Sequence, residues 1–464
     1  MIFERFIVPG LSQYSYIVGE SSAVVVIDPK RDIASYLDYA DSKSLRIAYV
    51  LETHIHADYA SGARALAEAC GAELCLSGYD EGETFQYAFQ HRKLKEGDDL
   101  SLGGLTLQAL HTPGHTPEHI SFLLSEPRRS SEPLALFSGD FLFVGSVGRP
   151  DLLGEEEKQG LARALYASVQ RLENLPDGLL VFPGHGAGSL CGAGMAQSEQ
   201  STLGYERSSN PFLQKQSEET FVETVLSTVP EFPDYYQRMK TLNSAGPPIL
   251  DGLPGGERIP VKEFEQKQKE LDAILLDLRR PEAFGGAHIP GSINIGVGPN
   301  LSVWAPWVLP YDRPILLIGD ATTDMETARR ALIRVGLDNA VGSLRGGIIA
   351  WLESGRDQGH VPQASVQELH EVLEQPGRPL LLDVRSPGEW KTGHIDGAVH
   401  ISGGDLPKHL TDLPADKPLY VICGSGYRSS IAVSILARSG RTKPTNVDGG
   451  MSAWKNQHFP VVEA

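Results

Sequence analysis

Apolar residues fall along this chain in short runs separated by polar, glycine- and proline-containing stretches. Ala23-Val24-Val25-Val26-Ile27-Asp28 and Ile47-Ala48-Tyr49-Val50-Leu51 are nearly unbroken, the pattern of strands buried on both faces. Leu105 to Leu110 alternates apolar and polar positions, which predicts a half-buried strand. Leu134 to Phe137 and Leu179 to Phe182 predict further strands, each feeding a loop with a metal-capable residue. Ser61 to Cys70 has the spacing of a helix.

The second half repeats itself with a period of about 105 residues. Asp277-Leu278-Arg279-Arg280-Pro281, Phe284 and His288-Ile289-Pro290-Gly291 return as Asp383-Val384-Arg385-Ser386-Pro387, Trp390 and His394-Ile395-Asp396-Gly397. Arg345-Gly346-Gly347 with Trp351 returns as Asp448-Gly449-Gly450 with Trp454. Each copy opens on an apolar run ending in Asp, continues through a second apolar run and a loop, and then enters an amphipathic stretch. That order predicts two small α/β domains on parallel sheets, with chemistry in the loops after the strands. Ala245-Gly246-Pro247-Pro248, Leu253-Pro254-Gly255-Gly256 and Gly359 to Gln363 punctuate the chain. The expected division is 1–245, 255–358 and 364–464.

Composition narrows the classes. A chain of 464 residues suggests about two to four domains, and 41% hydrophobic with 22% charged residues is a globular balance. No apolar run is long enough to span a bilayer, and the N-terminus lacks a basic-then-apolar leader, so neither a membrane span nor a signal peptide is expected. A net charge of −18 without a basic cluster argues against nucleic-acid binding. Cys70, Cys75, Cys191 and Cys423 form no disulfide framework, which fits a reducing cytoplasm.

Four loops carry metal-capable residues: Thr53-His54-Ile55-His56-Ala57-Asp58-Tyr59, His111-Thr112-Pro113-Gly114-His115, Ser138-Gly139-Asp140 and Pro183-Gly184-His185-Gly186. Imidazoles and carboxylates converging from strand ends suit zinc or iron(II). Residues 1–245 resemble the metallo-β-lactamase superfamily, with its αββα sandwich and its H-x-H-x-D-H signature. Tyr59 stands where the last histidine of that signature would hold a second metal, leaving mainly Asp58 and His185 for that site. The segment further resembles the persulfide dioxygenase branch, which also shows Ser138 to Phe143 followed by Gly148-Arg149-Pro150-Asp151. The resemblance implies one iron(II) per chain held by His54, His115 and Asp140, with open positions for dioxygen and substrate. It makes His56, Asp58, Tyr59 and His185 supporting groups. Tyr59 would either donate a hydrogen bond to the distal ligand or simply pack. Arg149 is a candidate for a substrate carboxylate or phosphate, and Cys191 for a persulfide relay beside the metal, with plain core packing as its alternative.

Cys423-Gly424-Ser425-Gly426-Tyr427-Arg428-Ser429 lies between an apolar strand and a helical run. Backbone N–H groups in such a loop, with a helix N-terminus behind them, favour a thiolate. The loop resembles that of the rhodanese family, C-x-x-x-x-R. This implies a persulfide on Cys423, held by the backbone of Gly424, Ser425, Gly426, Tyr427 and Ser429, with Arg428 binding the sulfur donor or acceptor. The first copy reads Ile318-Gly319-Asp320-Ala321-Thr322-Thr323-Asp324 instead. Gly319 or Asp320 takes the cysteine position, so this copy is expected to be inactive.

The whole chain thus resembles bacterial multidomain sulfide-detoxification enzymes. The resemblance implies oxidation of a low-molecular-weight thiol persulfide by O2 to sulfite and thiol, with thiosulfate formed or consumed at Cys423. No nucleic acid or membrane partner is expected, and a homo-oligomer is. Two other readings stand beside it: a zinc-dependent thioester hydrolase of glyoxalase II type, and a non-catalytic sulfur carrier or persulfide sensor.

Overall fold

The computed structural model describes residues 1–229, 232–414, 417–440 and 443–463; the expected limit at 464 lies outside them. Two compact units divide the chain, Met1–Asp251 with Ile333–Gly336 and Gly252–Leu332 with Leu337–Ala464. Among the described residues no helix is long and apolar enough to cross a membrane.

The first unit holds two six-stranded sheets. One runs in chain order through β1 (Ile2–Val8), β2 (Gln13–Glu20), β3 (Ala23–Ile27), β4 (Arg46–Leu51), β5 (Glu73–Ser77) and β6 (Arg92–Leu94). The other is built from β7 (Asp99–Leu102), β8 (Leu105–His111), β9 (Ile120–Ser125) and β10 (Ala135–Gly139). After the hairpin β11 (Leu142–Phe143) and β12 (Ser146–Val147) it gains β13 (Leu180–Pro183) and β14 (Ser201–Thr202), in the order β14-β13-β10-β9-β8-β7.

Alternate residues of the unbroken apolar run in β3 serve two different cores. Val25 and Ile27 meet Leu107, Phe122 and Phe137 between the sheets. Val24 and Val26 face the helices Ala34–Ser42 and Ala63–Cys70 on the outside. The second sheet likewise turns Leu136 and Val181 outward onto Lys158–Arg171 and Glu218–Thr228. Each full burial of such a side chain is worth about 1.5–3 kcal/mol, so both faces of the run are needed and the layering is αββα. The helix predicted from Ser61 starts at Ala63, because the Ser61 N–H donates to Asn243 Oδ1 and the Ser61 hydroxyl oxygen accepts from the Ala63 N–H.

In the second unit both copies form five-stranded parallel sheets of the same order. The first comprises β15 (Arg258–Ile259), β16 (Ile274–Asp277), β17 (Ile293–Asn294), β18 (Ile315–Ile318) and β19 (Ala340–Leu344). The second comprises β20 (Gln363–Ala364), β21 (Leu380–Asp383), β22 (Val399–His400), β23 (Leu419–Ile422) and β24 (Thr445–Val447). The repeated motif has a structural cause. Arg279 and Arg385 each fork onto the buried carboxylate two residues earlier, Asp277 and Asp383. His288 and His394 stack on Phe284 and Trp390. These contacts close the loop after the strand and are the same whether or not a cysteine follows.

The copies touch closely. The Asn294 N–H donates to the Ser434 hydroxyl and the Ser430 hydroxyl donates to Asn294 Oδ1. A side chain on Gly404 would place Cβ 2.2 Å from Trp307 Cε2. Gly404→Val should therefore destabilise this unit by roughly 1–3 kcal/mol. The expected readout is a lower urea midpoint followed by tryptophan fluorescence; an unchanged midpoint would mean the two surfaces are not pressed together there.

Candidate functional site

Three strand-end loops bring His54, His115 and Asp140 together in the interior of the first unit, with one ligand atom of each within 4.8 Å of the others. His54 Nε2 lies 3.8 Å and His115 Nε2 3.5 Å from Asp140 Oδ2. All three atoms are buried without a hydrogen-bond partner. Leaving three such atoms unsatisfied costs several kcal/mol in total unless a cation fills the gap.

The opposite edges of the rings are fixed. The Thr53 hydroxyl donates to Asp28 Oδ2, so it must accept from His54 Nδ1 at 3.0 Å. His115 Nδ1 donates to the Arg149 carbonyl at 3.0 Å. Both Nε2 atoms thereby keep their lone pairs for the centre. Burial, reinforced by neighbouring imidazoles and Lys240, holds both histidines well below the usual imidazole pKa, so they stay neutral. Two neutral imidazoles and a carboxylate fit a divalent metal such as iron(II) or zinc.

Asp140 reaches this point through a turn at Gly139, whose φ is +52°. A Cβ there would meet His119 Nε2 and Thr53 Oγ1, both at 2.6 Å. The His119 ring accepts the Asp140 N–H at 3.1 Å and meets Thr112 Oγ1 at 2.9 Å.

The 53–61 loop is held from beneath. Asp28 accepts from the Thr53 N–H and from His56 Nε2. Asn243 donates to the His56 and Tyr59 carbonyls and accepts the Ser61 N–H. Glu118 accepts the Ile55 N–H. Lys240, 1% exposed, donates to the Ile55 carbonyl. Burial lowers its pKa, against the nearby carboxylates of Glu118 and Asp140.

Tyr59 is fully buried against His56, and its hydroxyl donates to the Asp28 carbonyl at 3.3 Å. This hydrogen bond commits the hydroxyl to the Asp28 backbone. Arg149 differs from expectation. It is buried, and its guanidinium forks onto Asp151 and donates to the Leu190 carbonyl. A fork committed in this way ties two loops together; it is not an open anion site.

His185 lies between Asp140 Oδ1 and Asp58 Oδ2, 2.8 Å from each. Burial opposes its charge, but the two carboxylates raise its pKa well above the usual range, so both nitrogens are donors. Asp58, His185 and Cys191 form a second group with ligand atoms within 4.8 Å of one another. Burial, with Asp58 and Asp140 nearby, raises the Cys191 thiol well above its ordinary value, which disfavours the thiolate that a sulfur relay needs.

In the second unit, β23 delivers Cys423 to its loop, where the Gly426 N–H donates to Sγ at 3.2 Å and the Ser429 hydroxyl lies 3.4 Å away. The Arg428 guanidinium forks onto Glu389 at 2.6 and 2.7 Å. In the first copy β18 ends at Ile318 as β23 ends at Ile422, so Gly319 takes the cysteine position, Asp324 the arginine position and Ala283 the place of Glu389. Asp320 and Asp324 are hydrogen-bonded by threonines and held below the usual carboxylate pKa. The roles of Asp28, Glu118, His119, Lys240, Asn243 and Glu389 are not legible in the sequence, because most of their partners lie about 20 or more residues away. Only Glu389 had a local signal, the Ser386-Pro387-Gly388-Glu389 capping box.

Residues 8–185 match the metallo-beta-lactamase superfamily, and residues 260–354 and 365–457 each match the rhodanese-like domain. The mitochondrial persulfide dioxygenase ETHE1 of Bos taurus is 30% identical over 227 residues, 47% of this chain and 78% of its own length. The hydroxyacylglutathione hydrolase GloC of Haemophilus influenzae is 28% identical over 44% of this chain and 93% of its own. A crystal structure of a metallo-beta-lactamase from Staphylococcus aureus covers 74% of this chain and 98% of its own, with 36% identity and a TM-score of 0.65.

Burial opposes ionisation of Glu389, but Arg428 holds its carboxyl down to about 2, below the ordinary value of 4.5. The pair thus stabilises the fold fully above that ordinary value and loses its effect as pH falls through the lower one. Solvent reaches both groups, so Glu389→Gln should cost at most about 1 kcal/mol at neutral pH. That deficit should shrink as the buffer is taken from neutral to about pH 3, where the unfolded carboxyl is already protonated. Urea denaturation of both proteins across this range checks it; a pH-independent deficit would assign the loss to packing.

Proposed function

Because the chain belongs to the metallo-β-lactamase superfamily and carries two rhodanese-like domains, we propose that it is a persulfide dioxygenase coupled to a sulfurtransferase. The observation carrying this reading is the set of three buried, unpartnered ligand atoms on His54, His115 and Asp140, beside a position where Tyr59 offers no further metal ligand. The ETHE1 likeness supports it from outside the site. In this reading the division is 1–245 for oxidation, 255–358 for the inactive copy and 364–464 for sulfur transfer, in a reducing cytoplasm.

One iron(II) per chain, held by His54 Nε2, His115 Nε2 and Asp140 Oδ2, would supply the open coordination positions that dioxygen and a persulfide sulfur require. The chain does the rest. Thr53 and the Arg149 carbonyl keep each imidazole in its ligand tautomer, and His185 holds the other oxygen of Asp140. His56 and Asp58 serve as supports, and Lys240 braces the same loop through the Ile55 carbonyl. Overall, R–S–SH, O2 and water give R–SH, sulfite and two protons. At the second site Cys423 carries a sulfane sulfur. The loop from Gly424 to Ser429 stabilises the anion, and Arg428, aimed by Glu389, adds its field. Passing that sulfur to sulfite forms thiosulfate, and the reverse supplies persulfide.

A zinc thioester hydrolase is the second reading, favoured by the Asp58, His185 and Cys191 group and by the GloC likeness. Metal analysis with oxygen uptake on a thiol persulfide separates the two. About one iron per chain with uptake supports the dioxygenase. Two zincs with thioester hydrolysis would replace it, and bound metal without turnover would leave a carrier or sensor. His115→Ala should lose most of the metal and reduce uptake by at least about 100-fold. Cys423→Ser should abolish thiosulfate sulfur transfer and leave oxygen uptake within about twofold of the parent; joint loss of both would contradict two separate sites.

A further inference from the structure

The cysteine loop borders a cleft of about 310 Å³ that both copies build. Ser425, Gly426, Tyr427 and Asp448 come from the copy with the cysteine, and Arg280 and Glu282 from the copy without it. Gly426, in the cleft wall, is the residue whose N–H donates to Cys423 Sγ. Gly426 thus belongs both to the cleft wall and to the loop that holds Cys423 Sγ. The Tyr427 hydroxyl donates to the Gly296 carbonyl at 2.9 Å, which fixes one wall against the other.

The wall from the cysteine-free copy carries charges its counterpart lacks. Arg280 occupies the position of Ser386. The Ser386 hydroxyl caps its helix and is reciprocated by Glu389, whereas Arg280 makes no capping hydrogen bond. Its side chain is 87% exposed, and the Glu282 carboxylate approaches its Nε only to 3.6 Å. That separation is too long to occupy the guanidinium fork. Glu282 stands where the other copy has Gly388. Asp448, facing it, is affected first by burial and then by the Glu282 charge, both raising its pKa. One guanidinium and two carboxylates thus share one small cleft.

We infer that this cleft docks the thiol that accepts sulfur from Cys423, and that the thiol bears both a carboxylate and an ammonium group. The inference rests on the sulfurtransferase reading of Cys423. Arg280 offers a bidentate partner to a carboxylate, and Glu282 and Asp448 offer acceptors to an ammonium group. A thiol recognised through a polyphosphate meets one cation against two anions and gains nothing. In the transfer, the acceptor thiolate attacks the outer sulfur of the Cys423 persulfide. A new S–S bond forms, the bond to Sγ breaks, and its electron pair leaves Cys423 as a thiolate. The acceptor sulfur is oxidised to the persulfide level as Cys423 is reduced, with no other reactant. The cysteine-free copy thereby sets acceptor specificity.

The full chain would be loaded with excess thiosulfate, and the persulfide on Cys423 confirmed by intact mass and its loss in Cys423→Ser. Transfer would then be timed to L-cysteine, glutathione, cysteamine, 3-mercaptopropionate, 2-mercaptoethanol and coenzyme A. L-cysteine and glutathione should show the lowest KM. Arg280→Ala should raise KM about tenfold for the carboxylate-bearing thiols relative to 2-mercaptoethanol, without a matching fall in kcat. Arg280→Lys should restore part of the difference. Glu282→Lys should weaken cysteamine and favour coenzyme A. Equal KM values across the series, or a uniform kcat loss in Arg280→Ala, would overturn the inference. Failure of Cys423 to load in the parent protein would instead remove the sulfurtransferase reading on which it rests.

Discussion

The metal loop depends on the Asp28 carboxylate. It accepts the Thr53 N–H, the Thr53 hydroxyl and His56 Nε2, while its own carbonyl receives Gln13 Nε2 and the Tyr59 hydroxyl. Its φ of +51° is an uncommon conformation for a residue other than glycine, and it places the carboxylate under the neighbouring strand end. Through Thr53 this one group sets the tautomer of His54, and it also holds the His56 ring through Nε2 at 3.1 Å. A buried carboxylate is stable there because donors surround it. The same donors hold the loop in one conformation, so the ligand atoms can converge before any cation arrives.

A parallel division of labour runs through the two copies. The buried Asp–Arg forks and the stacked histidines close the loop after the first long strand in each. They preserve the fold equally in both. At the loop itself the copies differ in Cys423, Arg428 and Glu389 on one side and Gly319, Asp324 and Ala283 on the other. The arginine and its glutamate are present together or absent together. A half-buried guanidinium without its carboxylate, or the reverse, would leave an uncompensated charge. The cysteine-free copy retains a packed surface and carries its own charged residues, Arg280 and Glu282, in the cleft that Ser425, Gly426 and Tyr427 border.

The likenesses to a persulfide dioxygenase and to a hydroxyacylglutathione hydrolase cover similar stretches at similar identity. In this chain Tyr59 turns its hydroxyl to the Asp28 carbonyl, while Cys191 places a sulfur beside Asp58 and His185.

Local pattern alone specified much of this protein. The apolar runs marked the strands, the repeat marked the two parallel-sheet copies, and His54, His115, Asp140 and Cys423 stood out because each sits in a short motif at a strand end. Such features are legible because periodicity and turn chemistry act between near neighbours. Tertiary structure decided what those residues meet. Asn243 and Lys240 lie on a helix about 185 residues beyond the loop they brace, and nothing in their own neighbourhood signals it. Arg149 reads from sequence as an open anion site, yet burial beside Asp151 commits its fork to the fold. Tyr59 has the same identity in either description, but only packing shows its hydroxyl turned to Asp28. Burial and hydrogen bonding between distant segments set which atoms remain unpaired, and those atoms define the site.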